Sequence, residues 1–271
     1  MPEIAKLKEL ARQIRIDVIR MLAEAGSGHP GGSLSCAEIV TALLFQVMKH
    51  DPSQPKWPER DRFVLSKGHA IPVWYAALAH AGYLPREELL TLRKTGSRLQ
   101  GHPDLNTLPC LEACTGSLGQ GLSIALGMAI ASRMDNSPYR VYCLLGDGET
   151  QEGQIWEAAM AASKFKVDTL CAVLDYNKAQ IDGFVKDVMP IEPILDKWAS
   201  FGWHVRKVDG HDFDQIINAL EESKTVKDQP CFILADTLKG KGVSFMEGVV
   251  DWHGKAPKPE EAKKALVKLE A

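Results

Sequence analysis

The chain has 271 residues, 45% hydrophobic and 25% charged, enough apolar surface to bury a substantial core; disorder, collagen and small disulfide scaffolds are excluded. Its 32 Lys+Arg and 35 Asp+Glu are interspersed to a net charge of −3, which leaves no basic stripe for nucleic acid. No apolar run approaches the roughly 20 residues that span a bilayer, and the charged, amphipathic start lacks the apolar segment of a secretion signal, so a cytoplasmic protein without a membrane partner is expected.

Taken in chain order, helical periodicity over Glu3–Ala25 and Ala37–Met48 leads to a Pro-rich surface connection, Asp51–Pro58, and a short apolar strand, Arg62–Ser66. Helix Val73–Ala81 follows, then helix Leu118–Arg133, strand Arg140–Leu145, helix Gln154–Lys164 and strand Thr169–Asp175. Helix Ile191–Ala199, strand Trp203–Val208, helix Asp212–Lys224 and strand Cys231–Asp236 complete the pattern. Near-continuous hydrophobicity in the strands predicts coverage on both faces. Their alternation with helices predicts an α/β fold, a doubly wound, mainly parallel sheet whose ligands bind beyond the carboxyl ends of the strands. Residues 1–257 form that domain, and the Lys/Glu/Ala-rich segment 258–271 reads as an exposed, charged terminal helix or tail.

The six cysteines contain no C-x-x-C pair, so a zinc ribbon or dithiol redox site lacks support, and Cys143, Cys171 and Cys231 read as buried free thiols. There is no His-Glu-x-x-His cluster for a metallohydrolase. The sharpest feature is Gly146-Asp147-Gly148 just after a buried strand, a loop that can turn backbone N–H groups and a carboxylate toward one space. A turn needing positive φ would explain it equally well. The next strand ends in Asp175-Tyr176-Asn177, with 28 residues between Gly148 and Asn177, the length of one crossover helix plus one strand. Asp147 and Asn177 therefore emerge from neighbouring strand ends, and two hard oxygen donors suit Mg²⁺ shared with phosphate oxygens. A capping Asn and a turn Asp are the ordinary alternative. His50, His80, His204 and His211 read as structural, with Asp212 capping a helix.

The run from Gly146 to Asn177 resembles the thiamine diphosphate signature. Ser27-Gly28-His29-Pro30-Gly31, Asp61 to His69, Gly101-His102-Pro103, Thr115 to Gly121, Lys239-Gly240-Lys241-Gly242 and Trp252-His253-Gly254 resemble transketolases in the same order, over about 250 of the 271 residues. The resemblance implies that Asp147, Asn177 and the Ala179 carbonyl hold Mg²⁺, or Ca²⁺ or Mn²⁺, on the diphosphate. It implies that Gly148 offers its N–H, that His69, Lys239 and His253 line the diphosphate and reaction centre, and that Gly116 and Leu118 position the aminopyrimidine. His29 and His102, with His253, would face the substrate as hydrogen-bond donors and proton carriers, and Glu152 would relay protons. Ser117 stands where family members often carry proline, and Gly32 where some carry a serine nearby.

In this family the glutamate that activates the cofactor lies in a second domain, before which this sequence stops. The resemblance thus implies an amino-terminal subunit of a split transketolase, whose partner is a carboxy-terminal transketolase subunit, the two assembled into a dimer of heterodimers. The reaction implied is transfer of a two-carbon ketol unit from a ketose phosphate to an aldose in pentose phosphate chemistry. The alternatives are a related thiamine diphosphate enzyme acting on an unusual sugar phosphate and a non-catalytic diphosphate-binding module; the set of histidines argues against the latter.

Overall fold

The structure is a computed structural model describing residues 2–270; Met1 and Ala271, the outer ends of the two expected segments, lie outside the described residues. The strands are β1 (Arg62–Leu65), β2 (Val141–Gly146), β3 (Leu170–Tyr176), a two-residue ribbon of β4 (Ala179–Gln180) with β5 (Gly183–Phe184), β6 (His204–Asp209) and β7 (Cys231–Asp236). Apart from the ribbon, they form one parallel sheet in the order β1-β2-β3-β7-β6. Every residue of β2 is buried, and its side chains alternate between two cores: Tyr142 and Leu144 enter one, Val141, Cys143 and Leu145 the other. Strands covered on both faces have no solvent side to reserve for polar residues, which is why hydrophobicity runs through them without a break.

The helices are α1 (Pro2–Ala25), α2 (Pro30–Ser35), α3 (Ala37–Ala42), α4 (Ile71–His80), α5 (Gln120–Met134), α6 (Gly153–Lys164), α7 (Val185–Val188), α8 (Ile194–Ser200), α9 (Phe213–Ser223) and α10 (Pro259–Glu270). The first core packs under α1, α3, α4 and α9, the second under α5, α6 and α8. In the second, Trp198 of α8 stacks on Phe232 of β7 at 4.1 Å between ring centroids. No helix among the described residues is long and apolar enough to cross a membrane.

Four elements depart from the expectation. The edge strand β6 exposes Arg206 and Lys207, charges that discourage edge-to-edge pairing, so it lacks the continuous burial of its neighbours. The helix expected to reach Met48 ends at Ala42 and widens into a π turn, Leu43–Val47. The glycine-rich stretch after His29 forms α2 against its propensity. Pro30 opens it, and close packing fixes it, since a Cβ on Gly31 would fall 2.8 Å from the Trp252 carbonyl oxygen. At the other end of the chain α10 docks on α1 rather than standing free: Ala262, Ala265 and Leu269 are buried, and Arg12 donates to the Leu269 carbonyl at 2.7 Å.

A buried ion pair joins α1 to α3. Arg15 donates both terminal nitrogens to Glu38 at 2.6 Å, and His211 Nδ1 lies 3.0 Å from the same carboxylate. Burial pushes the Glu38 carboxyl up, but Arg15 and His211 outweigh it and hold it at about 2. A carboxyl depressed in the folded state contributes stability that is complete above its unfolded pKa and is lost as the pH falls toward the folded one. Glu38→Gln should therefore lower unfolding free energy at pH 7 by about 3–5 kcal/mol, because it leaves Arg15 buried and unpaired. It should also flatten the loss of stability between neutral pH and the acid range. Urea melts at pH 7 and pH 3.5 check both; an unaltered pH dependence in the variant would contradict the assignment.

Candidate active site

The register that sets Gly146 of β2 beside Asp175 of β3 brings the loops after these two strands together. Asp147 is the first residue beyond β2 and is 3% exposed. Its Oδ1 accepts from the Gly148 N–H at 2.7 Å and its Oδ2 from the Lys178 N–H. The Gly148 donor expected to face a diphosphate is thus turned onto the carboxylate itself, because it follows Asp147 in the chain and closes its cap. Asn177 Oδ1 accepts from the Ala179 N–H at 3.2 Å, and the Ala179 carbonyl accepts from Lys239 Nζ at 3.0 Å. Asp147, Asn177 and Ala179 together line a cavity of about 190 Å³, which Gly148, Leu118, His69, Glu152, Lys239 and His253 also reach.

Behind this cavity lies a carboxylate with four donors. Asp175, fully buried at the end of β3, accepts from Lys67 Nζ, the Thr237 hydroxyl, the Ser35 hydroxyl at 2.5 Å and Asn177 Nδ2 at 2.9 Å. Lys67, 1% exposed, also donates to the Gly32 carbonyl at 3.0 Å. Burial alone would raise the Asp175 carboxyl; Lys67 and the hydroxyl donors overcome it and hold it ionised. Burial likewise works against the Lys67 ammonium, and Asp175 holds it charged. A second buried carboxylate, Glu149, accepts from the Gly146 N–H at 2.9 Å, the Gly119 N–H at 3.0 Å and the Ser66 hydroxyl. It ties the loop before α5 to the β2 turn.

Four histidines gather at the open side. The His29 ring lies 5.1 Å from that of His69, 5.6 Å from His253 and 6.2 Å from His102, and His69 lies 5.0 Å from His253. His29 and His102 do not line the small cavity but form a shelf beside it. Gly116 belongs to this shelf: at φ +132 it adopts a conformation open to glycine, and a Cβ there would fall 2.8 Å from the His102 ring. Burial lowers all four imidazoles, His29 to about 4 with help from the charge of Arg93 and His253 to about 3 with help from Lys239. Each is neutral at pH 7 and offers one donor and one acceptor. Lys239 Nζ is 2.9 Å from His253 Nδ1; an ammonium can only donate, so Nδ1 accepts and the ring proton sits on Nε2. Glu152 stands exposed at the N-cap position of α6, with no side-chain cap bond.

Asp147 supplies the test of a cation site. It is a buried carboxylate with two backbone donors and no ion pair among the described residues, and burial together with Asp175 pushes it up to about 7. No three His, Cys, Asp or Glu side chains cluster as a metal site among the described residues. One carboxylate, one amide oxygen and one carbonyl are the hard, incomplete donor set that suits a divalent cation sharing its remaining positions with phosphate oxygens, so the residues fit the group. His29 Nδ1 is buried without a hydrogen-bond partner among the described residues, a polar atom free to meet a ligand.

The structural readings of the other histidines hold. His50 meets the Tyr83 hydroxyl and Leu44 carbonyl, His80 meets Asp17, His204 meets Glu222 and His211 meets Glu38. Asp212 caps α9, and Cys143, Cys171 and Cys231 are buried and free. A larger, open depression of about 520 Å³ along the ends of β6 and β7 contains none of the expected site residues; its Lys178 and Lys207 pair with Asp236. Sequence reasoning gave no role to Lys67, Glu149 or Asp175, although all three lie in or beside the motif blocks. The signal available was a charged residue at the very end of an apolar strand, where burial obliges it to find a partner.

The parallel sheet with helices on both faces and the cavity beyond its strand ends define an open α/β fold that takes its ligand at the carboxyl ends of the strands. Residues 6–270 match the family described as transketolase, thiamine diphosphate binding domain, and the chain belongs to the transketolase family. It is 49% identical over 264 residues to a 6-deoxy-6-sulfo-D-fructose transketolase subunit of Clostridium sp. (strain MSTE9), covering 97% of this chain and 96% of that one. It is 40% identical over 264 residues to an apulose-4-phosphate transketolase subunit of Phocaeicola vulgatus, covering 97% and 94%. Among solved structures, the transketolase of Campylobacter jejuni superposes with a TM-score of 0.92 at 36% identity, over 97% of this chain and 42% of that one. The chain thus spans about two fifths of that transketolase's length.

Because the Lys67–Asp175 pair is dry, removing one member strands a charge. Lys67→Met should cost about 3–5 kcal/mol of stability, and adding Asp175→Asn should recover part of that loss. Denaturant melts of the single and double variants measure this; a Lys67→Met protein as stable as its parent would show that the pair does not organise the strand ends.

Proposed function

We propose that this chain is the cofactor-diphosphate-binding subunit of a two-chain transketolase, which moves a two-carbon ketol unit from a ketose carrying an anionic group to an aldose. The observation that carries the reading is the convergence of Asp147, Asn177 and the Ala179 carbonyl on one cavity, beside a set of neutral histidines. Asp147, Asn177 and Ala179 would hold Mg²⁺ or a similar divalent cation, with Lys239 and His69 toward the diphosphate and Gly116 and Leu118 against the aminopyrimidine. Thiamine diphosphate, when bound, supplies the carbon nucleophile and electron sink that breaking a carbon–carbon bond beside a carbonyl requires.

The chain's own residues bind, orient and move protons. His29, His102 and His253, neutral at pH 7, donate to the carbonyl and hydroxyl oxygens of the sugar and take up protons as charge on those oxygens changes. Lys239 fixes the tautomer of His253, leaving Nε2–H as its donor. Glu152, exposed at the N-cap of α6, would relay protons. The activating glutamate and the remaining substrate contacts come from a carboxy-terminal transketolase subunit. Two relatives named as transketolase subunits, each covered over nearly its whole length, support that division of labour. Their names also favour an unusual sugar donor over the common pentose phosphates, since one specifies a sulfonated fructose and the other apulose 4-phosphate.

Asp147→Ala is expected to abolish Mg²⁺-dependent binding of thiamine diphosphate to the assembled protein, read by calorimetry with and without the metal. Unchanged affinity would reject the metal site. The chain alone is expected to show no ketol transfer and to gain it with its partner, in a screen of xylulose 5-phosphate, apulose 4-phosphate and 6-deoxy-6-sulfofructose against aldose acceptors. Turnover by the single chain would contradict the division between subunits.

A further inference from the structure

Lys239 is 1% exposed and forms no ion pair among the described residues. Its ammonium donates to the Ala179 carbonyl at 3.0 Å and to His253 Nδ1 at 2.9 Å, and burial lowers it to about 8 against the pull of Asp147. With no carboxylate to aim it, the ammonium sits where the backbone sends it. That backbone, the segment after β7, is pinned at three points. The Thr237 hydroxyl donates to Asp175, the Leu238 N–H to His211 Nε2 at 2.9 Å, and the Gly240 N–H to the Gly31 carbonyl at 3.1 Å. Among the described residues, His211 is the only side chain that bonds the backbone from Thr237 to Lys241. Its ring is fixed from both sides. Nδ1 lies 3.0 Å from Glu38, a carboxylate that can only accept, so the ring proton sits on Nδ1 and Nε2 is bare to receive Leu238. Glu38 is clamped in turn by Arg15, and the His211 N–H by Asp209 Oδ1 at 2.8 Å. The ring lines the open depression beside β6 and β7, not the cavity of Asp147.

We propose that His211 is a positioning residue for cofactor binding: through the Leu238 N–H it sets the backbone from which Lys239 reaches the Ala179 carbonyl and His253. Two histidines thus bracket one lysine in opposite tautomers, His211 protonated on Nδ1 and His253 on Nε2. Without the acceptor at His211, the Leu238 N–H has no partner and Lys239 is free to shift. The Ala179 carbonyl and the His253 ring then lose the donor that orients them. Groups that orient the residues of a metal site typically change its affinity by about 10–100-fold when removed, although they touch no ligand. The inference rests on the thiamine diphosphate reading and adds to it a residue outside the cavity on which the cavity depends.

Nuclear magnetic resonance of the full chain reads the arrangement directly. The His211 ring nitrogens should report a protonated Nδ1 and a bare Nε2, with a scalar coupling across the hydrogen bond from the Leu238 amide; a proton on Nε2 would overturn the proposal. His211→Phe keeps the bulk of the ring and removes the acceptor. It should move the His253 ring nitrogens toward a mixture of tautomers and lower the Mg²⁺-dependent affinity of the two-chain protein for thiamine diphosphate roughly tenfold in calorimetry. His211→Gln, whose amide oxygen can receive the Leu238 N–H, should restore most of both. Unmoved His253 signals in the phenylalanine variant would overturn the assignment. So would equal losses of affinity in the two variants, in step with their urea stability, since that is the mark of a side chain that serves the fold alone. If His211→Phe does not fold, the parent's coupling and the glutamine variant decide: near-parental affinity supports the proposal and a tenfold loss overturns it. A parent protein that binds no thiamine diphosphate would overturn the cofactor reading instead, while the two rings still report whether His211 sets Lys239.

Discussion

The contact on which the site depends is the dry pairing of Asp175 with Lys67. Parallel strands end in unpaired backbone and diverging loops, and something must hold those ends at fixed spacing if side chains from different loops are to meet. Asp175 does so from the end of β3, by accepting from Lys67 beyond β1, Thr237 beyond β7, Ser35 of α2 and Asn177 in its own loop. Taking a carboxylate out of water is costly unless each lone pair finds a donor, and here each donor belongs to an element that the site needs. The orientation of Asn177, with Nδ2 committed inward and Oδ1 left to the loop, is a direct consequence.

The charge balance of the cavity follows from that arrangement. Lys67 is consumed by Asp175, so it cannot serve Asp147, which stays buried with backbone donors alone. A strand-end carboxylate left short of cations, backed by a neighbour of like charge, favours a divalent ion. On the opposite side, burial together with Lys239 and Arg93 keeps the histidines neutral, so that each can give one hydrogen bond and accept another. Cation-seeking chemistry and proton-handling chemistry thus occupy adjacent sides of the same strand ends.

Much of this was legible in the chain. The five strands of the main sheet and the major helices were readable because strands buried on both faces are apolar throughout and the crossover helices keep their period, as β2 and α9 illustrate. The spacing from Gly148 to Asn177 was enough to place two loops side by side. Elements that depend on distant packing were not readable: α2 forms from a glycine-rich stretch only because Trp252 and Lys239 close over Gly31. Lys67, Glu149 and Asp175 escaped assignment for a related reason. Their roles lie in one another, and a buried ion pair leaves no periodic trace in either segment.

The central claim, that loops from adjoining strands deliver three oxygen donors to one cation on the coenzyme's diphosphate, is most directly met by anomalous scattering from crystals grown with Mn²⁺ and thiamine diphosphate. The account predicts a single strong peak bonded to the side chains of Asp147 and Asn177 and to the Ala179 carbonyl, at close to the roughly 2.0–2.1 Å typical of Mg²⁺, with diphosphate oxygens completing the shell. A peak elsewhere, or a diphosphate held in the cavity without a metal at those three residues, would contradict it.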